Sequence, residues 1–325
     1  MMPSDTLTVR FLRGGWSEAE HPVHAVLVDA DGTVLRRVGA PCVTTWRSGA
    51  KPFQLTASLA HWPAHLAASL SAEDLALGAA SHSAEPHHVA RVTALLARAG
   101  LDVAALRCGP HAPMHKPSEL ALARQAEAVT ALHNNCSGKH TFMAVAARHH
   151  GWDADYRPPA HPLQQRIRAV VDDFAGGLVQ DTVIDGCGVP CFVLPLEGMA
   201  RAYATLARRS RDADDLLGRI GRAMAAHPTL MSGEGRSDLA LVTHAREPLV
   251  SKVGAEGLLC VAAPDRGVAL ALKVASGHEE ARMAAARALL AAWMPGAVDD
   301  AAFAPFVVMR NAAGDVVGER RADFG

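Results

Sequence analysis

The chain has 325 residues, half of them apolar, with 32 Lys and Arg against 33 Asp and Glu and a formal net charge of -1. That length allows a large core, and so even a charge balance argues against a nucleic-acid or membrane surface as the main partner. Residues 1–20 hold no apolar run of the signal-peptide kind, and no stretch reaches the roughly 18 apolar residues of a membrane span, so the cytoplasm is the expected compartment.

Strand signals open the chain. Residues 24–28 and 33–38 read as two short strands, and Asp31-Gly32 between them suits a tight hairpin turn. The stretch Arg47-Ser48-Gly49-Ala50-Lys51-Pro52-Phe53-Gln54 follows, then a helix over 54–70 interrupted at Pro63. The middle of the chain predicts helices over 86–99, 117–132, 139–150, 161–174 and 214–226, most of them bounded by proline at the start or by glycine or proline at the end. Past residue 236 the pattern changes to short apolar runs at 239–243, 258–262, 268–274, 306–310 and 315–317, with a long helix over 277–294 among them. Turns at 264–267 and 311–314 make two hairpins of these runs.

This distribution predicts an α+β fold. The terminal segments, about 1–45 and 236–325, pair into one antiparallel sheet flanked by helices, and about 46–235 forms a central helical lobe, the whole acting as a single enzyme unit over 1–325. An alternating parallel βαβ sheet fits poorly, because the middle third offers few strands.

Ser48 and Lys51 carry the first chemistry. A serine hydroxyl becomes a useful nucleophile when a neighbouring base takes its proton, and a lysine serves if burial or another cation lowers its pKa. Arg47 is such a cation, and it can also grip a carboxylate with two parallel hydrogen bonds. Ser-x-x-Lys by itself is a weak pattern and equally suits a helix cap beside a solvated lysine. Pro52 also lacks the N–H that would bond back to the Ser48 carbonyl, so a regular helix cannot run through both residues.

Four further stretches are unlike packing sequence: Ala80-Ser81-His82-Ser83-Ala84-Glu85, His133-Asn134-Asn135-Cys136-Ser137-Gly138-Lys139-His140, Asp185-Gly186-Cys187-Gly188-Val189-Pro190-Cys191 and Lys252-Val253-Gly254-Ala255-Glu256-Gly257. The loop Gly233-Glu234-Gly235-Arg236-Ser237-Asp238 lacks the spacing of a phosphate-binding loop. In a chain this long and without a signal segment, the six cysteines are expected as free thiols or ligands rather than a disulfide framework, and the lack of any Cys-x-x-Cys excludes a structural zinc ribbon.

Ser48/Lys51, Ser81 (or Ser83) and Lys252/Gly254 resemble, in order, the Ser-x-x-Lys, Ser-containing turn and Lys-x-Gly elements of serine β-lactamases and penicillin-binding proteins. The middle Ser-Asp-Asn of those enzymes is absent, and Val253 stands in place of their Thr. The fuller set, Arg-Ser-x-x-Lys-Pro-Phe-Gln, Ser-His-Ser-x-Glu, Cys-Gly-Pro-His, Asn-Asn-Cys-Ser-Gly-Lys-His, Asp-Gly-Cys-Gly-x-Pro and Lys-x-Gly-Ala-Glu-Gly, resembles the Rhizobium-type L-asparaginases of the asparaginase II family.

That resemblance implies a serine β-lactamase-like fold and hydrolysis of L-asparagine to L-aspartate and ammonia. It implies two catalytic pairs, Ser48 with Lys51 and Ser81 with Lys252, although Lys273 is an alternative to Lys252. It places Arg47 and Asp185 on the substrate's α-carboxylate and α-amino group, with His82, Asn135 and His140 as further substrate contacts. It also implies Zn²⁺ held by Cys136, Lys139 and Cys187, and a homodimer. Two other activities remain open on these residues: a β-lactamase-like or esterase serine hydrolase, and a Cys/His metal-binding sensor without catalysis.

Overall fold

The computed structural model describes residues 6–325. It divides into two compact units. One comprises the segments up to Gly49, Leu194–Arg208 and Ala240–Gly325, and the other Ala50–Val193 and Arg209–Leu239. The first is a sheet unit and the second is mostly helical, an α+β chain as the sequence predicts.

The sheet unit is built on eight strands. Their order is Val308–Arg310, Val316–Phe324, Leu7–Arg13, Trp16–Asp29, Val268–Val274, Leu258–Ala263, Val250–Gly254, with Val34–Val38 also paired to Trp16–Asp29. Every pairing along this path is antiparallel. Terminal strands therefore share one sheet: Leu7 lies opposite Phe324, and His24 opposite Lys273.

Alternation explains which face is buried. Leu7, Val9 and Phe11, then Val23, Ala25 and Leu27, then Leu259 and Val261, then Leu270, Leu272 and Val274, form one apolar cluster with Ala281, Met283, Ala284, Leu289 and Leu290 of the helix Glu279–Trp293. The strand Trp16–Asp29 extends well before the 24–28 that periodicity predicts. Its first half is mostly exposed and lacks apolar alternation. Cross-strand ion pairs mark it instead: Arg10 Nε lies 2.8 Å from Glu20 and Arg13 Nε 2.6 Å from Glu18. The Asp31-Gly32 turn forms as expected, with Gly32 at φ +83° and Asp29 Oδ1 accepting from the N–H groups of Asp31 and Thr33. The apolar run at 239–243 is helical, within Ser237–Thr243, rather than extended.

The helical unit packs around Ser137–His149, in which eleven of thirteen residues are buried. A helix buried on all sides needs small residues where its neighbours cross. Gly138 meets that need: a Cβ there would lie 2.3 Å from the Leu77 carbonyl oxygen of the helix Ala72–Gly78. Gly78 does the same in return, since its Cβ would lie 2.7 Å from the Phe142 ring. Trp62 stacks on Phe142 at 4.7 Å and donates to the Phe142 carbonyl at 2.9 Å. The helix predicted over 117–132 ends at Gln125, where Ala126 turns into the left-handed region at φ +54°. Asp181–Ile184 pairs with Pro190–Pro195 as a hairpin in this part of the chain. Among the described residues, no helix is long and apolar enough to cross a membrane.

Candidate active site

Each unit holds part of the chemistry the sequence points to. In the sheet unit, Ser48 sits half-buried on a 3-10 turn, Arg47–Ala50, and the α-helix Lys51–Leu59 starts afresh after it. Pro52 thus falls in the first turn, where its missing N–H costs nothing, and the break between Ser48 and Lys51 is the one its chemistry requires. The turn is tightly held. Arg47 adopts φ +51°, unusual for a side chain with a Cβ, and Tyr203 Oη donates to the Gly49 carbonyl at 2.9 Å. Strain of this kind persists only where surrounding contacts enforce it.

Lys252, on the strand Val250–Gly254, is fully buried and donates to the Val253 carbonyl at 3.2 Å. Its Lys-x-Gly motif runs directly beside the Ser48 turn, because a Cβ on Gly254 would lie 3.0 Å from the Trp46 carbonyl oxygen. Lys273, the alternative, donates to the carbonyls of Glu256 and Val274 at 2.6 and 2.8 Å.

In the helical unit, Lys51 is wholly buried. Its Nζ lies 2.6 Å from the Ala80 carbonyl, 2.9 Å from Ser81 Oγ and 3.4 Å from the Asn135 carbonyl. A neutral amine has two N–H donors and one lone pair, so these three partners satisfy it completely if the Ser81 O–H donates to Nζ. Burial also pushes Lys51 below an ordinary lysine, against the pull of Cys136. The hydrogen bond on view therefore joins members of the two pairs expected from the sequence, Lys51 of one with Ser81 of the other.

Cys136, Lys139 and Cys187 also come together, all buried. Lys139 Nζ lies 3.4 Å from Cys187 Sγ. Hydrogen bonding between the two sulfurs raises Cys136 and lowers Cys187. Burial disfavours the Lys139 ammonium, but the neighbouring Cys187, Cys136 and Asp185 outweigh it and raise Lys139 above an ordinary lysine. Two lysines in one buried setting are thus pushed in opposite directions, the pattern that separates a base from a fixed cation. Asp185 lies beside Cys187, with Oδ2 3.9 Å from its sulfur. Two sulfurs and an amine, dry and mutually close, suit a tetrahedral zinc site with an open position. Binding would have to displace the proton that Lys139 holds.

The remaining expected substrate contacts differ in character. Asn135 is half-buried and offers its carbonyl to Lys51. His140 is buried, and its Nδ1 pairs with Tyr156 Oη at 2.9 Å. Its Nε2 has no hydrogen-bond partner among the described residues. His82 is 0 % exposed, and both its ring nitrogens are engaged inside the protein.

Sequence reasoning passed over Asn134, Ser137 and Tyr156. Asn134 orders the turn by accepting from the Cys136 N–H at 2.9 Å and donating to the Cys108 carbonyl at 2.9 Å. An Asx turn of this kind is legible in Asn-x-Cys once the segment is known not to be helical. Tyr156 carries no local signal, because only the fold brings it to His140.

The profile of the L-asparaginase II family matches residues 9–322, nearly the whole chain. An α+β fold with a buried lysine on a serine hydroxyl here goes with an amidohydrolase. The chain belongs to the L-asparaginase II family. No curated protein matches its sequence. Among solved structures it is similar to a β-lactamase from Mycobacterium bovis, at a TM-score of 0.43 and 16 % identity over 83 % of this chain and 94 % of that one. It is also similar to a mutant simvastatin synthase from Aspergillus terreus, at a TM-score of 0.38 and 11 % identity over 78 % of this chain and 84 % of that one.

Proposed function

We propose that the protein hydrolyses L-asparagine to L-aspartate and ammonia through a lysine-activated serine. Family membership supports the substrate, and the 2.9 Å contact between Lys51 Nζ and Ser81 Oγ is the observation that carries the mechanism. Neutral Lys51 takes the serine proton, and the hydroxyl oxygen attacks the side-chain amide carbon. The protonated amine then delivers its proton to the departing nitrogen, which leaves as ammonia. Water, deprotonated by the same amine, opens the aspartyl ester and restores the serine.

Ser81 is the hydroxyl that Lys51 addresses directly. Ser48 and Lys252 supply a second serine and lysine on neighbouring elements of the sheet unit, with Ser48 retained as the alternative nucleophile. Arg47 pairs with the substrate α-carboxylate and Asp185 with its α-ammonium. A site made of paired charges rejects amides that lack those groups. Asn135 and the unmatched Nε2 of His140 are the other polar contacts. A buried ring nitrogen left without a hydrogen bond costs about 1–3 kcal/mol, so a bound partner on His140 is favoured.

Cys136, Lys139 and Cys187 would hold Zn²⁺, which polarises an oxygen or activates water when bound. The two units act as a single enzyme, in the cytoplasm and as a homodimer.

The test is ammonia release from L-asparagine and L-glutamine, with and without a chelator, for wild type, Ser81→Ala and Ser48→Ala. Loss of release in Ser81→Ala supports the mechanism, and full activity in both variants sinks it. Turnover of a chromogenic β-lactam without ammonia from asparagine would replace the substrate class. Sedimentation of the purified protein decides the dimer.

A further inference from the structure

His82 stands next to Ser81 in the chain, yet its ring is wholly buried and bonded within the protein. Its Nδ1 accepts the Ala84 N–H at 3.1 Å, so the ring proton sits on Nε2. Nε2 lies 2.8 Å from Ser137 Oγ, and the Ser137 hydroxyl in turn donates to the Leu132 carbonyl at 3.0 Å. Each atom of this chain has one role left to it, so the tautomer and the ring plane are both determined. The ring also stacks on His88, centroids 5.0 Å apart and 17° between planes, and His88 Nε2 donates to the Thr229 carbonyl at 2.9 Å. Ala84 meanwhile is held at φ +57°, which an alanine adopts only when its surroundings compel it.

The two ends of the bond matter. On one side is the irregular stretch 80–85, which presents the Ala80 carbonyl and Ser81 Oγ to Lys51. On the other is the first residue of the helix Ser137–His149, directly after Cys136 and two before Lys139. The Asn135 carbonyl, the third partner of Lys51, belongs to the turn that leads into this helix. Lys51 is therefore bonded to both segments that the His82–Ser137 contact joins.

We propose that His82 is a positioning residue, a neutral brace that locks the Ser81 bend to the Asn135–Ser137 turn and so sets the Lys51 amine between Ser81 Oγ and the Asn135 carbonyl. The role rests on the lysine–serine hydrolysis proposed above. It differs from the substrate contact that the sequence resemblance implies for this residue. Burial first, then the neighbouring basic side chains His88, Lys51, Arg236 and His87, which make a further positive charge unfavourable, push the ring well below an ordinary histidine.

Two measurements test the brace. Steady-state kinetics on L-asparagine should show kcat reduced about 10- to 100-fold in His82→Ala and in Ser137→Ala with KM nearly unchanged, the loss expected for a displaced catalytic group. His82→Gln, whose amide reaches Ser137 as Nε2 does, should recover most of that rate. The double variant His82→Ala/Ser137→Ala should be no slower than the worse single one, because both remove the same bond. A raised KM with kcat intact would make His82 a substrate contact and overturn the proposal, as would a His82→Gln protein no faster than His82→Ala. The second measurement is ¹⁵N NMR of the wild-type imidazole. The His82 ring should keep its proton on Nε2 from about pH 5 to about pH 9, where an ordinary histidine titrates, and should not respond to L-aspartate. Titration in that range overturns the brace even if the variants fail to fold. Absence of ammonia release from the wild type would overturn the asparaginase function instead, while the NMR result would still decide the state of the ring.

Discussion

At the residue scale, the proposed chemistry depends on a lysine whose neutral form is favoured by burial. Burial lowers Lys51 below the ordinary value of 10.5, so its deprotonated form is favoured in the folded protein. A base must be unprotonated to act, hence the rate on L-asparagine should rise with pH through that lowered value and level off before 10.5. A pH–kcat profile that falls over the same range would contradict it. Lys51→Arg keeps a positive charge but can never accept a proton, so it should lose about 10²–10⁴-fold in kcat, as should Lys51→Met. If Lys51→Arg retained activity, the residue would be a fixed cation rather than a base. Ser48 and Lys51 could be picked out of the sequence, because hydroxyl, amine and guanidinium crowd into five residues. The partner of Lys51 could not. Ser81 lies thirty residues on, and nothing local says that the Ala72–Gly78 helix will deliver it to Nζ.

At the scale of elements, two contacts hold the helices that carry the site. Gly138 lets Ser137–His149 cross Ala72–Gly78 at backbone distance, so Gly138→Ala would force the helices apart. We expect a loss of about 1–3 kcal/mol, read from urea denaturation, with activity falling alongside because Ser137 and Lys139 flank the crossing. The second contact is Asp74. It caps its own helix with Ser71 and accepts from Arg91 and Arg98 of the helix Pro86–Arg98 at 2.7 Å each. Burial alone would raise its pKa, but the bonds from Arg98, Arg91 and Ser71 outweigh it and hold the carboxyl below the ordinary 3.8. A depressed carboxyl contributes stability above its unfolded value and loses it as pH falls through the folded one. Asp74→Asn should therefore cost about 1–3 kcal/mol near neutral pH. That deficit should shrink in acid, once the wild-type carboxyl is protonated too, and urea titrations at neutral and acid pH check it. The helix Ala72–Gly78 has no counterpart among the elements predicted from the sequence, because so short a helix gives too few turns for periodicity to register.

For the whole molecule, the sheet unit depends on one apolar layer. Leu270 is 0 % exposed in the cluster beneath the helix Glu279–Trp293. Leu270→Ala should destabilise the protein by about 2–5 kcal/mol, seen as a lowered denaturation midpoint with unchanged slope.

What the sequence by itself determined was the class of the fold and the inventory of reactive groups. Alternation at the two ends and helical periodicity between them require a sheet of terminal strands and a helical middle, because each pattern can bury its apolar face in only one way. Pro52 likewise required the helix to begin anew after Ser48, by chemistry confined to five residues. The strand Leu7–Arg13 showed a comparable signal in Leu7, Val9 and Phe11, too short to stand out, whereas the polar half of Trp16–Asp29 showed none. Only tertiary structure decided who meets whom: Lys51 with Ser81, Lys139 with Cys187, and His82 with Ser137. Those pairings join residues 30, 48 and 55 positions apart, so they are set by which helices pack together and not by any local preference of the chain.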